Sequence, residues 1–228
     1  MKSFLSFHLM KLSLYFGLLI AFSLGLDYIV QNNASLHQLD SQGYEFFIHH
    51  FHNRLFDLLI YPFNFNFLNT PMPTYYLFLN GLFLLYLAVF KRTSLIWALV
   101  AIIIGSLITD LSSRVDSGIL FRQRPFVSLP SNITPFGYQA WVHISSFPSG
   151  HVRETTLFST IIYYFLPKLK VIMIIFILFI SFSRVYIGAH FPTDVIAAIL
   201  IGYFSARLAL AFTDLIKTGV KNERHLSR

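Results

Sequence analysis

The sequence predicts an all-α integral membrane protein, a bundle of six transmembrane helices with an interfacial helix after the first span. Three observations predict it. The 228-residue chain is 55% hydrophobic and only 12% charged, with a mean hydropathy of +0.63, unlike a soluble domain. Several uncharged runs approach or reach the roughly 17–25 residues needed to cross about 30 Å of hydrocarbon. The basic residues behind the net charge of +7 lie mostly between these runs or in the tail, as the positive-inside rule describes. They do not gather on one soluble face, so nucleic acid is not the expected partner. The chain contains no cysteine, which excludes disulfides, thiolate chemistry and cysteine metal sites.

The first span runs from about Leu12 to Val30, with Lys2 and Lys11 before it and Asp27 near its far end. No small-residue cleavage site clearly follows, so the run reads as a span rather than a signal peptide. Between Gly43 and Phe63, the residues Phe46, Phe47, Phe51, Leu55, Leu58 and Leu59 fall close to helical spacing. This segment reads as an amphipathic helix at the interface. His49, His50 and His52 within it invite a metal reading. No carboxylate–histidine helical signature accompanies them, and a polar interfacial face accounts for them more simply.

Pro71 and Pro73 introduce the second span, about Tyr75 to Phe90, which ends at Lys91 and Arg92. The third follows at about Ser94 to Asp110. A polar stretch from Leu111 to Ser149 holds Arg114, Asp116, Arg122, Arg124, four prolines, Trp141 and His143. Loops of this length are uncommon unless functional or disordered, and aromatics with proline argue for order. The fourth span begins at Phe147-Pro148-Ser149-Gly150-His151 and reaches about Leu166. The fifth runs from Val171 to about Ile187 and the sixth from Pro192 to about Ile216. Lys2, Lys11, Lys91, Arg92, Lys168, Lys170 and the basic tail fall on one side, assigned to the cytoplasm with both termini. The long loop and the turn at His190 then share the external face. The whole chain, 1–228, reads as one membrane domain with a catalytic core at about 110–205.

That external face collects the polar residues that could carry chemistry. Arg184 follows an apolar run, where a charge costs about 2.5–3.5 kcal/mol at mid-membrane, so it is expected to point into the bundle. Arg122, Arg124 and Arg184 could present planar forks to phosphate oxygens. Ser149 and Gly150 open a helix whose free backbone N–H groups favour an anion. Asp194, in the first turn of the last span, could orient His190 and leave its other nitrogen free to attack. His151, from another helix, could protonate the leaving oxygen. Singly, each piece has a plain alternative: a surface histidine, a helix cap, an interfacial anchor. Their convergence on one face points to a site.

Pro148-Ser149-Gly150-His151 and Ser183-Arg184, five residues, His190, three residues, Asp194 resemble two signature motifs of the type-2 phosphatidic acid phosphatase family. That family includes membrane lipid phosphatases and soluble haloperoxidases. Its first motif, Lys, six residues, Arg-Pro, is matched by Arg124-Pro125, with Arg122 as an extra arginine and Ser117 in the lysine's place. The resemblance covers about Asp110 to Ser205. It implies a six-helix bundle with His190 as a phosphohistidine-forming nucleophile, Asp194 as its orienter and His151 as general acid. Arg124, Arg184, Ser149 and Gly150 would hold the phosphate, with no metal or other cofactor. Arg114, about one helical turn before Ser117, or Arg153, in the first turn of the fourth span, is the candidate substitute for the lysine; Arg153 could instead pair with Glu154.

The expected activity is a metal-independent hydrolysis of a lipid phosphomonoester or pyrophosphate at the outer leaflet, in a bacterial inner membrane. Arg124-Pro125-Phe126-Val127 resembles the undecaprenyl pyrophosphate phosphatases of the family; phosphatidic acid, phosphatidylglycerol phosphate and lipid A phosphates stay open. Two other readings are a lipid phosphotransferase using the same phosphohistidine, and a non-catalytic phospholipid-binding membrane protein. The bilayer and the lipid substrate are the expected partners, with no obligate protein partner implied.

Overall fold

The computed structural model describes residues 2–51, 53–64, 81–82, 86, 96–119, 121–128 and 145–226. Most of the expected second span lies outside the described residues, as do His52, Trp141, His143 and the side chains of Arg114 and Ser117. The regular structure described is helical throughout. It comprises α1 (Lys2–Asn32), α2 (Ala34–Phe51), α3 (Arg54–Asn64), α4 (Ile96–Ile119), the short α5 (Pro125–Ser128), α6 (Gly150–Phe165), α7 (Lys170–Tyr186) and α8 (Pro192–Leu226).

Among the described residues, three helices are long and apolar enough to cross a membrane: Met10–Asn32, Pro167–Tyr186 and Pro192–Gly219; Ile96–Ser112 is a shorter apolar helix. Asn33 separates α1 from α2, and its side chain accepts from the Leu36 N–H at 3.1 Å. Asn53 does the same for α3, accepting from the Leu55 and Phe56 amides at 3.1 and 3.0 Å. A side-chain oxygen meeting the orphan amides of a helix start is a capping interaction. It splits the single Gly43–Phe63 helix expected from the sequence into two. The third span also differs: α4 continues past Asp110 to Ile119, so the polar stretch begins as helix. No proline or glycine falls between Leu111 and Ser117, and hydrophilicity alone does not end a helix.

The bundle is built around α6 and α8. Helix α6 packs on α8, α7 and α4, while α8 also packs on α4 and α1. Every α6 residue from His151 to Ile162 is buried, Arg153 and Glu154 included. A helix enclosed by protein can carry polar residues that lipid would not tolerate. Gly202 on α8 makes the enclosure close: a Cβ there would lie 2.4 Å from the Arg153 carbonyl oxygen. Small residues let membrane helices approach to this distance. Ala98 and Ala101 of α4 and Ala206 of α8 complete the same core around Leu157, Phe158 and Ile161.

Helix α2 lies against the start of α8. Its buried residues Asp40, Tyr44 and Ile48 recur every fourth position and share one face. On the opposite side His49 and His50 are exposed. His50 bonds through Nδ1 to the Phe46 carbonyl at 2.9 Å and stacks on its ring.

Candidate active site

Three segments meet at one end of the bundle: residues 121–126, the approach to α6 at 145–149, and the turn between α7 and α8. The turn folds back on Arg184, whose carbonyl accepts from the Ala189 and His190 amides at 3.1 and 3.3 Å. Gly188 permits this with φ +70°, and the Tyr44 hydroxyl would lie 2.8 Å from any Cβ added there. Both the backbone region and the space favour glycine. Phe126 N–H donates to the Gly188 carbonyl at 3.3 Å and Ser146 N–H to the Arg122 carbonyl at 2.8 Å, so backbone bonds join all three segments.

His190 is buried, and its Nδ1 sits 2.7 Å from the Ser146 carbonyl. A carbonyl only accepts, so Nδ1 carries the proton and Nε2 holds the lone pair. Arg124 Nη1 lies 3.2 Å from that Nε2 and donates to the Ala189 carbonyl at 3.0 Å, while Nη2 donates to the Ser145 carbonyl at 3.3 Å. Burial first, then the Arg124 charge, hold the imidazole well below the ordinary histidine value; the Ser146 carbonyl opposes them. Arg184 is buried with its Nε donating to Ser183 Oγ at 3.1 Å. Arg184 also acts electrostatically on His190, and Arg184 and Arg124 both act on His151, so these four side chains stand near one another.

Helix α6 starts in this cluster. Ser149 is its N-cap, without a side-chain capping bond, and its buried Oγ has no hydrogen-bond partner among the described residues. The space beside Gly150 is open, so the first-turn amides can receive an anion. His151 is buried in the same turn.

Asp194 stands differently from the expected orienter. Its Oδ2 lies 3.9 Å from His190 Nδ1, beyond hydrogen-bond range. That oxygen accepts instead from Ser146 Oγ at 2.5 Å and Phe191 N–H at 2.8 Å. The contact with His190 thus runs through Ser146, which holds both groups. Arg122, expected on the phosphate, is paired with two carboxylates. Nη1 pairs with Asp194 Oδ1 and donates to Thr193 Oγ1 at 3.0 Å. Nη2 pairs with Asp40 Oδ2 at 2.5 Å, and the guanidinium lies 4.3 Å from the centre of the Phe191 ring. Arg153 pairs with Glu154 at 3.6 Å, and Glu154 accepts from Thr109 at 2.5 Å. Arg114 has its backbone on α4.

Sequence reasoning passes over Asp40, Thr193 and Ser146, all in contact with this network. Asp40 had one signal available: it is an acid on the stripe that also carries Tyr44 and Ile48.

The class of protein is therefore a helical membrane protein in which two arginines and two histidines gather at a helix N-terminus with open space beside Gly150. The sequence profile of the PAP2 superfamily matches residues 94–217, and the chain belongs to this superfamily. It is 35% identical over 83 residues to a lipid A 1-phosphatase of Rhizobium etli, covering 36% of this chain and 34% of that protein. It is 30% identical over 129 residues to an undecaprenyl-diphosphatase of Sulfolobus acidocaldarius, covering 54% and 58% respectively. The chain thus spans between about a third and about three fifths of these relatives. The fold is similar to the crystal structure of a transmembrane PAP2-type phosphatidylglycerolphosphate phosphatase from Bacillus subtilis. The TM-score is 0.59 at 18% identity, over 90% of this chain and 95% of that one.

Proposed function

We propose that this protein is a membrane lipid phosphatase that hydrolyses a lipid phosphomonoester or pyrophosphate through a phosphohistidine on His190. The observation that carries the proposal is the state of His190: Nδ1–H is held by the Ser146 carbonyl, and the Nε2 lone pair faces Arg124. Nε2 attacks the terminal phosphorus, a P–N bond forms, and the bond from that phosphorus to the leaving oxygen breaks, releasing the lipid alcohol from a monoester or the lipid monophosphate from a pyrophosphate. His151, in its protonated form, gives its proton to the leaving oxygen. Water then attacks the phosphohistidine, returns a proton to His151 and releases phosphate. Arg124, Arg184, the Ser149 hydroxyl and the first amides of α6 stabilise the charge on the phosphoryl oxygens. No step requires a metal.

The site's position at the end of membrane helices suits a substrate whose tail stays in lipid. The remaining parts of the proposal are a single domain of six spans with α2 and α3 at the interface, cytoplasmic termini, and a site facing the outer leaflet of a bacterial inner membrane. The charge map supports that orientation. The relatives favour undecaprenyl diphosphate and lipid A phosphates as the first substrates to try. The test is a panel of purified lipid phosphates and pyrophosphates with full-length protein in detergent. Phosphate release without an added acceptor, inhibited by vanadate and absent in His190→Ala, is the expected result. Turnover that persists in His190→Ala would overturn the mechanism, and release only with an acceptor lipid would make the protein a phosphotransferase.

A further inference from the structure

We propose that Asp40 of α2 is a positioning residue for the reaction, acting on His190 through Arg122, Asp194 and Ser146. Asp40 is 1% exposed, and it lies far in sequence from everything it binds. Its Oδ1 accepts from the Thr193 amide at 2.9 Å, and its Oδ2 from Thr193 Oγ1 and Arg122 Nη2, both at 2.5 Å. Three donors on one carboxylate define its position, and two of these contacts are at the first turn of α8.

The chain of contacts from there to the nucleophile is continuous. Arg122 carries the Asp40 contact on Nη2 and the Asp194 contact on Nη1. Asp194 Oδ2 accepts from Ser146 Oγ, and the Ser146 carbonyl holds His190 Nδ1 at 2.7 Å. Without Asp40, Arg122 would have Asp194 as its one carboxylate partner among the described residues and could swing toward the phosphate opening. Asp194 would then lose its fixed counter-charge, and Ser146 the acceptor that orients it. The carbonyl that sets the tautomer of His190 would lose its anchor. Neighbouring contacts hold α2 against the first turn of α8. Gly43 meets Pro192, where an added Cβ would lie 3.0 Å away, and Tyr44 packs on Phe191.

A paired carboxylate network of this kind also takes Arg122 out of the phosphate-binding set. It leaves Arg124 and Arg184 as the motif arginines at the phosphate. Asp40 thus supplies, from before residue 94, a part of the site that the residues matched by the family profile do not contain.

This inference rests on the phosphatase reading, and two measurements keep them apart. The first compares full-length wild type, Asp40→Asn, Asp40→Glu, Arg122→Gln and Asp40→Asn/Arg122→Gln on the best substrate of the panel. The expected result is a kcat about 10–100-fold lower in Asp40→Asn with KM changed less than about threefold. Asp40→Glu recovers part of it, and the double variant is no worse than Arg122→Gln alone, as residues acting in one chain require. The second needs no substrate: nitrogen NMR of [15N]histidine-labelled protein in micelles, with His190→Ala for assignment. Wild type should show His190 mainly as the Nδ1–H tautomer, and Asp40→Asn a mixture. Full kcat with an unchanged tautomer in Asp40→Asn overturns the positioning role, as does a loss that merely follows the fraction of folded protein. Wild type inert on every substrate would defeat the phosphatase reading instead, and the tautomer would still decide the role of Asp40.

Discussion

Arg122 and Arg153 are both buried arginines beside a carboxylate, yet their surroundings are finished to different degrees. Arg122 has a carboxylate on each terminal nitrogen, Thr193 alongside and the Phe191 ring against its face, and only its Nε has no hydrogen-bond partner among the described residues. Arg153 reaches Glu154 only at 3.6 Å; its Nε and Nη1, and Glu154 Oε2, have no hydrogen-bond partner among the described residues. Desolvating two charges is repaid only when geometry and hydrogen bonds are good. The Arg122 network comes closer to that condition than the Arg153 pair does. Polar burial at the site end therefore fixes positions that chemistry needs, whereas the pair in the bundle interior is a net cost carried by the packing around it.

Four measurements sharpen or break this contrast. The largest effect is expected at the proposed nucleophile: His190→Ala should lower turnover by about 10⁴-fold or more, read by phosphate release. Next, Arg122→Gln leaves Asp40 and Asp194 buried without their cation and should destabilise the protein by about 3–5 kcal/mol. Arg153→Met combined with Glu154→Leu should instead fall within about 1 kcal/mol of wild type or exceed it. Denaturant unfolding in micelles measures both, and a double variant as damaged as Arg122→Gln would erase the distinction. Third, His190 must be neutral to attack, and its burial and the Arg124 charge favour the neutral form. Its proton is therefore taken up at lower pH than that of a free histidine, so the acid limb of kcat/KM should lie below about pH 6.5. Arg124→Gln should move that limb upward; a wild-type limb above about 6.5 would contradict the electrostatics. The smallest effect is at the exposed ring of His50, where His50→Ala should change stability by less than about 0.5 kcal/mol and turnover not at all.

The starts of α6 and α8 and the break between α6 and α7 are readable in the sequence because Pro148, Pro192 and Pro167 punctuate strong apolar runs, whereas α8 continues past the expected end at about Ile216 to Leu226. The extension of α4 is not, since Ser112 to Asp116 looks like loop by polarity while nothing in it stops a helix. At the site, His151, His190, Arg124 and Arg184 are readable as one cluster from motif spacing. The partner of His190 is not, because the acceptor is the Ser146 backbone carbonyl, and every residue has one. The pairing of Asp40 with Arg122 joins positions 82 apart in sequence, and that with Thr193 positions 153 apart. No local pattern reports such a contact. The carboxylate partners of Arg122 are unreadable for the same reason, since an arginine's motif position does not say which acids surround it.

The contact at Gly202 bears on how the protein is made. Helix α6 is only 16 residues long and buries Arg153 and Glu154 within its first two turns, so it is a poor candidate to settle in lipid alone. The backbone surface that shelters it belongs to α8, which leaves the ribosome some forty residues later by chain order. A helix of that kind is expected to settle only once α8 is there to cover it. A bulky residue at position 202 should then show itself first as a defect of insertion, read as a lower yield of membrane-integrated chain.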